Sequence, residues 1–216
     1  MVILASGSPR RRELLSLTGL PFETAQVEID ETPLPDEPAA AYTARLSQEK
    51  AQAALKSVVG GALILAADTT VADGGMILGK PASADEARAM LRRLRGHVHQ
   101  VYTALTLVDA ATGRRVTEVA VTNVPMRDYT DDEIDAYIAT GDPFDKAGSY
   151  AIQNTSFHPA ESLRGCYANV MGLPLCHLLR ALRAFGVEPQ PDVPLLCQHE
   201  LRYDCDVTGD ILAGKL

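Results

Sequence analysis

The chain has 216 residues, 46% of them hydrophobic, which suits one sizeable core or one domain of two lobes with a tail. Its 28 acidic and 20 basic residues leave a net charge of −8, so it has no long-range attraction for a polyanion. Nucleic acid is therefore not an expected partner, and any bound phosphate must be gripped by a local cluster of donors or by a metal.

No stretch approaches the roughly 18 to 20 apolar residues of a membrane helix. The start, MVILASGSPRRR, puts its charges after its short apolar run, the reverse of a signal peptide. A cytoplasmic protein that does not bind membranes is expected. Cys166, Cys176, Cys197 and Cys205 form no CxxC pair, and free thiols are the reading. Cys197, His199 and Cys205 are too irregularly spaced for a usual zinc site.

In chain order, Val2 to Ala5 is a short buried strand, and Ser6-Gly7-Ser8 a turn. A helix follows with Ser8 as N-cap and Pro9 in its first position, ending at Gly19. Pro21 to Ile29 returns as a second strand, then an acidic, proline-rich loop runs from Asp30 to Pro38. Ala39 to Val58 is a long alanine-rich helix with Arg45 and Glu49 paired at i,i+4. Ala62 to Ala67 is apolar at every position, as in a strand covered on both faces, and Asp68 stands at its carboxyl end.

Asp73-Gly74-Gly75 is a hairpin turn, and Ser83 with Glu86 caps a helix to Arg95. His99 to Val108 and Val116 to Met126 are two antiparallel strands. Thr130 and Glu133 form a second capping box, and a loop occupies Asp142 to Gly165. Cys166 to Val170 is expected as a short strand and Leu173 to Phe185 as a helix. The pattern predicts an α/β fold: a mixed, mainly parallel-core sheet with flanking helices and an antiparallel insertion. The division expected is a domain over 1–186 and a loosely attached extension over 187–216.

Arg10, Arg11 and Arg12 crowd the first turn of a helix, the end that carries positive partial charge, where cations cost about 0.3 to 1 kcal/mol each. An anion in the Ser6-Gly7-Ser8 turn removes the conflict, because N–H groups, hydroxyls and guanidinium groups then converge on it. A solvated basic turn is the plain alternative. Asp68, at a strand end in an open sheet, stands where such sheets bind ligands and could hold a metal or take a proton from water. As a lone Asp it could equally cap the next turn. Glu28, Asp30 and Glu31 form a carboxylate cluster suited to Mg²⁺, or simply a solvated loop. Lys50 and Lys80 are by themselves ordinary surface lysines, and the loop from Asp145 to Gln153 ends in an amide able to read a base.

Together these segments resemble the Maf family of nucleoside triphosphate pyrophosphatases. The resemblance is carried by Leu4 to Arg11, Arg45-Leu46 with Glu49 to Ala51, Ala67-Asp68-Thr69, Gly79-Lys80-Pro81, Asp145 to Gly148 through Ile152-Gln153, and Gly172 to Leu175. It implies two lobes around a nucleotide cleft and a homodimer. It also implies Asp68 as proton acceptor for the attacking water, and Ser8, Arg11, Lys50 and Lys80 as the triphosphate grip. Glu31 and Asp68 would hold Mg²⁺ or Mn²⁺. Arg10, Thr69 and Gln153 match the branch that acts on dTTP and UTP. Asn154 to Pro159 departs from that branch, which has a glycine-rich turn there, and the tail runs past the usual family end. A nucleotide-binding regulator of cell division without catalysis is the alternative, and a phosphatase releasing orthophosphate a third.

Overall fold

A computed structural model describes residues 1–58 and 60–216. The apolar run at the start forms β1 (Val2–Ala5), which pairs in parallel with β2 (Phe22–Ala25) on one side and β3 (Leu63–Asp73) on the other. Both parallel ladders stop at Ala5, opposite Ala25 and Ala66. β3 does not stop there. It continues against β5 (Val98–Asp109), antiparallel from Leu63 opposite Asp109 to Ala72 opposite Gln100. β6 (Arg115–Pro125) extends the sheet, and β4 (Met76–Leu78) folds back onto β3 through the Gly74-Gly75 turn. The order is β2-β1-β3-β5-β6, a mixed sheet whose parallel ladders are short and whose antiparallel ones are long.

This corrects one expectation. Asp68 lies mid-strand and not at a strand end. The polar run Asp68-Thr69-Thr70 looked like a terminus, but its side chains are paid for by partners across the sheet and in the cleft. What ends near Asp68 is the parallel pairing, two residues earlier at Ala66.

Local chemistry sets the helices as expected. Ser8 caps α1 (Pro9–Ser16), accepting from the Arg11 N–H, while Leu14 and Leu15 point into the core. α2 (Ala39–Leu55) lies on β3 and β5 and buries Leu46, Ser47, Ala51 and Ala54. Ser83 caps α3 (Ala84–Leu94), and Thr130 and Glu133 form both bonds of the capping box of α4 (Asp131–Ala139). Two 3₁₀ turns cover residues 142–145 and 147–149. Cys166 to Val170, expected as a strand, instead starts α5 (Tyr167–Met171). A short apolar run carries no period that separates strand from helix, and here the Gly172 left-handed turn closes a helical one.

Two main cores form. One joins β1, α1, the Leu65 part of β3, the Leu107 part of β5 and α6 (Leu175–Ala184). The other joins α3, α4, Val71, Val101 and Val124. β3 and β5 serve both, and Asp68 falls between Ala67 of the first and Val71 of the second.

The tail is not loosely attached. It forms α7 (Val193–Leu201) and α8 (Thr208–Leu212), and Val193 and Ile211 join the first core at 1% and 2% exposure. Burial of each such side chain stabilises by about 1.5 to 3 kcal/mol. Arg180 fixes the end of the chain, donating to the Ile211 carbonyl at 3.0 Å and pairing with Glu118. All four cysteines, as free thiols, line one narrow apolar pocket at this junction. Burial pushes Cys176 up to about 11 and Cys197 up to about 12, which keeps both protonated and unreactive near neutrality.

Candidate active site

Between the two cores lies a cleft of about 460 Å³, the size of a small-molecule site. Its wall gathers Ser8, Arg10, Arg11, Glu31, Lys50, Asp68, Thr69, Lys80 and Gln153, the residues to which the family resemblance assigns site roles. Arg12, Glu28 and Asp30 are not part of that wall. Arg12 bonds the Gly7 carbonyl at 3.2 Å, and Asp30 closes its own turn on the Thr32 N–H.

The wall carries Arg10, Arg11, Lys50, Lys80 and Lys146 against Glu31, Asp68 and Asp145. It is therefore basic within a chain that is acidic overall, the local concentration of donors that an anionic ligand requires here.

The centre of the cleft is an ion triad. The Lys50 ammonium, on α2, donates to Asp68 Oδ1 at 2.6 Å and reaches Glu31 Oε1 at 2.7 Å. Asp68 is 7% exposed overall, so little water reaches its carboxyl group. Burial works against ionisation of Glu31, but the bond to Lys50, with Lys80 and Arg11 further off, holds its carboxyl below the usual value. Tyr42 donates to the Glu31 carbonyl at 2.7 Å and so fixes the acidic loop over α2. Burial, with Asp68 and Glu31 nearby, pushes that phenol up to about 12.

Arg11 is a second hub. Its Nε donates to the Gly172 carbonyl at 2.8 Å, Nη2 to Thr69 Oγ1 at 3.0 Å and Nη1 to Ser6 Oγ at 3.3 Å. Burial lowers its pKa against the raising effect of Asp68, yet a guanidinium stays charged at any physiological pH. Thr103 gives its hydroxyl proton to the Asn169 carbonyl, so Thr69, 2.9 Å away, is the donor to Thr103. Thr69 thus accepts from Arg11, donates to Thr103, and has only acceptor capacity left for a ligand.

At the mouth, among the described residues, the Gly7 and Arg10 N–H groups have no internal acceptor, and Lys80 makes no hydrogen bond or ion pair. These are the donors free to take phosphate oxygens. Lys146 is not free: its ammonium is saturated by the Asp142 carbonyl, the Asp142 carboxylate and Asp145.

Sequence reasoning missed Tyr42 and gave no role of their own to Lys146 and Gly172, which fall within the segments that carry the resemblance. Tyr42 had a signal, since Tyr42, Leu46 and Lys50 recur every four residues on one face of a helix. Gly172 was marked only by its place at the start of the Gly172 to Leu175 segment. Its φ of 111° and its place 3.2 Å (as a notional Cβ) from Thr69 Oγ1 show why no side chain fits.

The Maf-like protein family matches residues 1–185. A dTTP/UTP pyrophosphatase of Chromobacterium violaceum is 45% identical over 191 residues, covering 87% of this chain and 96% of its own. One of Thermomicrobium roseum is 46% identical over 215 residues, covering 96% of each chain, tail included. Among solved structures, the Staphylococcus aureus Ham1 protein superposes with a TM-score of 0.41 at 13% identity, over 59% of this chain and 72% of its own. A dITP/XTP pyrophosphatase of Mycobacterium abscessus gives a TM-score of 0.38 at 14% identity, over 59% and 75%. By the family match over residues 1–185 and the two relatives of 45% and 46% identity, the chain belongs to the Maf-like protein family.

Proposed function

We propose that the chain hydrolyses dTTP and UTP to the monophosphate and pyrophosphate. The observation that carries this reading is the convergence of Asp68, the α1 turn and both lysines on one basic cleft, in a chain that shares 45% identity with a dTTP/UTP pyrophosphatase. Water attacks the α-phosphorus, the bond from that phosphorus to the bridging oxygen breaks, and the leaving pyrophosphate departs on that oxygen. Asp68 orients the water and takes its proton. Ser8, Arg11, Lys50 and Lys80 grip the triphosphate, and the charge on the departing group is met by the cleft's fixed donors.

Glu31 and Asp68 would hold Mg²⁺ or Mn²⁺. The fit rests on two hard carboxylates already sharing one cation, the Lys50 ammonium. Among the described residues no set of three His, Cys, Asp or Glu side chains is gathered for a metal. A metal held there would need further oxygen ligands, which substrate phosphates could supply. Such a metal would neutralise phosphate charge.

Arg10, Thr69 and Gln153 take the role of selecting the pyrimidine. Gln153 offers a donor and an acceptor to a base edge. The reading includes a homodimer in the cytoplasm, on the family resemblance; among the described residues no helix is long and apolar enough to cross a membrane. The test is product analysis: purified chain with Mg²⁺ and each of dTTP, UTP, CTP and GTP should release pyrophosphate from dTTP and UTP first. Tight binding without product would favour a regulator.

A further inference from the structure

We infer that Asp142, outside the cleft wall, is a positioning residue that sets the base-reading loop. The inference rests on the reading of Gln153 given above. Gln153 lies in the cleft wall on an irregular segment with no strand or helix to hold it. Its neighbours are held instead, and both ties end on one carboxylate.

On one side, the Ala151 N–H donates to the Tyr137 hydroxyl at 3.0 Å, and that hydroxyl donates to Asp142 Oδ2 at 2.7 Å. On the other, Asn154 Nδ2 donates to the same Oδ2 at 3.1 Å. Asn154 Oδ1 then accepts from the Phe157 N–H at 2.8 Å, and the Phe157 ring stacks on Tyr137 with centroids 4.2 Å apart and planes 7° apart. The loop is thus closed on itself around residue 153. Asn154-Thr155-Ser156-Phe157, which the sequence resemblance leaves without a counterpart, is this clamp.

The other oxygen of Asp142 faces Lys146 at 2.8 Å. With its three N–H groups spent on Asp142 and Asp145, Lys146 is a latch and not a phosphate grip. The Asp142 carboxylate therefore receives three donors and offers none. Only an acceptor on both oxygens fits this position. An amide would turn an NH₂ group toward either Lys146 or the Tyr137–Asn154 pair, and one side would be lost.

The experiment uses the full chain as Asp142→Asn, Gln153→Ala and the double variant, with kcat and KM for UTP and CTP read by pyrophosphate release. Uracil and cytosine differ in the donor and acceptor pattern that an amide reads. Gln153→Ala should lower the UTP-to-CTP ratio of kcat/KM by about tenfold, the scale of one lost hydrogen bond. Asp142→Asn should lower it in the same direction, through KM more than through kcat, and the double variant should be no worse than Gln153→Ala alone. A wild-type ratio in Asp142→Asn beside a collapsed one in Gln153→Ala overturns the role of Asp142 and leaves the base reading standing, as do additive losses in the double variant. A wild-type ratio in Gln153→Ala overturns the base reading, and the inference with it. Should Asp142→Asn not fold, Tyr137→Phe and Asn154→Ala each cut one tie, and unchanged ratios in both overturn the proposal.

Discussion

The Lys50 ammonium sits 2.6 Å from Asp68 Oδ1, at the level of the sheet where parallel pairing has ended and β3 runs on against β5 toward the second core. A helix residue and a strand residue 18 positions apart are brought together by α2 lying across β3. Their pairing gives a nearly buried carboxylate an ion-pair partner in the same cleft that the α1 turn lines.

Lys50→Met removes the only ammonium shared by Asp68 and Glu31 among the described residues, and with it one arm of the proposed phosphate grip. We expect kcat/KM for UTP to fall by about 10²-fold or more, the usual scale for a preorganised charge in a water-poor site. Steady-state kinetics check this, and a change of less than threefold would remove Lys50 from the site. Lys50→Arg should not restore the wild-type rate, because a planar fork cannot replace a point charge held between two carboxylates.

Glycines at positive φ separate strain from crowding. At Gly148, φ is +69° and a Cβ would meet Val71 Cγ1 at 2.9 Å and Cγ2 at 3.0 Å. At Gly113, φ is +71° but nothing lies within 4 Å. Gly113→Ala should cost about 1 to 2 kcal/mol, the strain of the left-handed backbone alone. Gly148→Ala adds overpacking and should cost about 2 to 4 kcal/mol. Urea unfolding of the two variants measures the difference, and equal midpoints would deny the contact with Val71.

The stability of the fold should fall on mild acidification. Burial lowers His99 and His177 to about 4 from an ordinary value of 6.5. Each has a buried Nδ1 without a partner among the described residues. Because the folded values are depressed, the unfolded chain binds protons first. The stability is complete above pH 6.5 and is lost as pH falls to about 4, by up to roughly 3 kcal/mol for each group. His177→Leu should flatten the curve of stability against pH across that window, measured by denaturant unfolding. Parallel curves for the variant and the wild type would contradict the buried, neutral assignment.

Much of this was legible in the residues themselves. Ser8 with Pro9, Ser83 with Glu86 and Thr130 with Glu133 are local signals, set by orphan N–H groups that only nearby side chains can satisfy, and all three mark helix starts in the structure. The full list of site candidates came from the family resemblance, position by position, since Lys50 and Lys80 alone read as ordinary surface lysines. The misses were non-local. β3 passes Asp68 because β5 supplies partners from 30 residues and more downstream, which no window around Asp68 contains. The tail read as loose because its apolar positions are few, yet Val193 and Ile211 find a core built by other segments. Asp142 was passed over because its task depends on Tyr137 and Asn154, neighbours only in space.

The most direct measurement compares pyrophosphate and orthophosphate release from UTP and dTTP by the wild-type chain and by Asp68→Asn in the presence of Mg²⁺. The wild type should yield one pyrophosphate for each monophosphate. Asp68→Asn should fold normally and turn over about 10²-fold more slowly or worse, the scale of a lost general base. Orthophosphate as the primary product, or a well-folded Asp68→Asn enzyme working at near wild-type rate, would contradict the account.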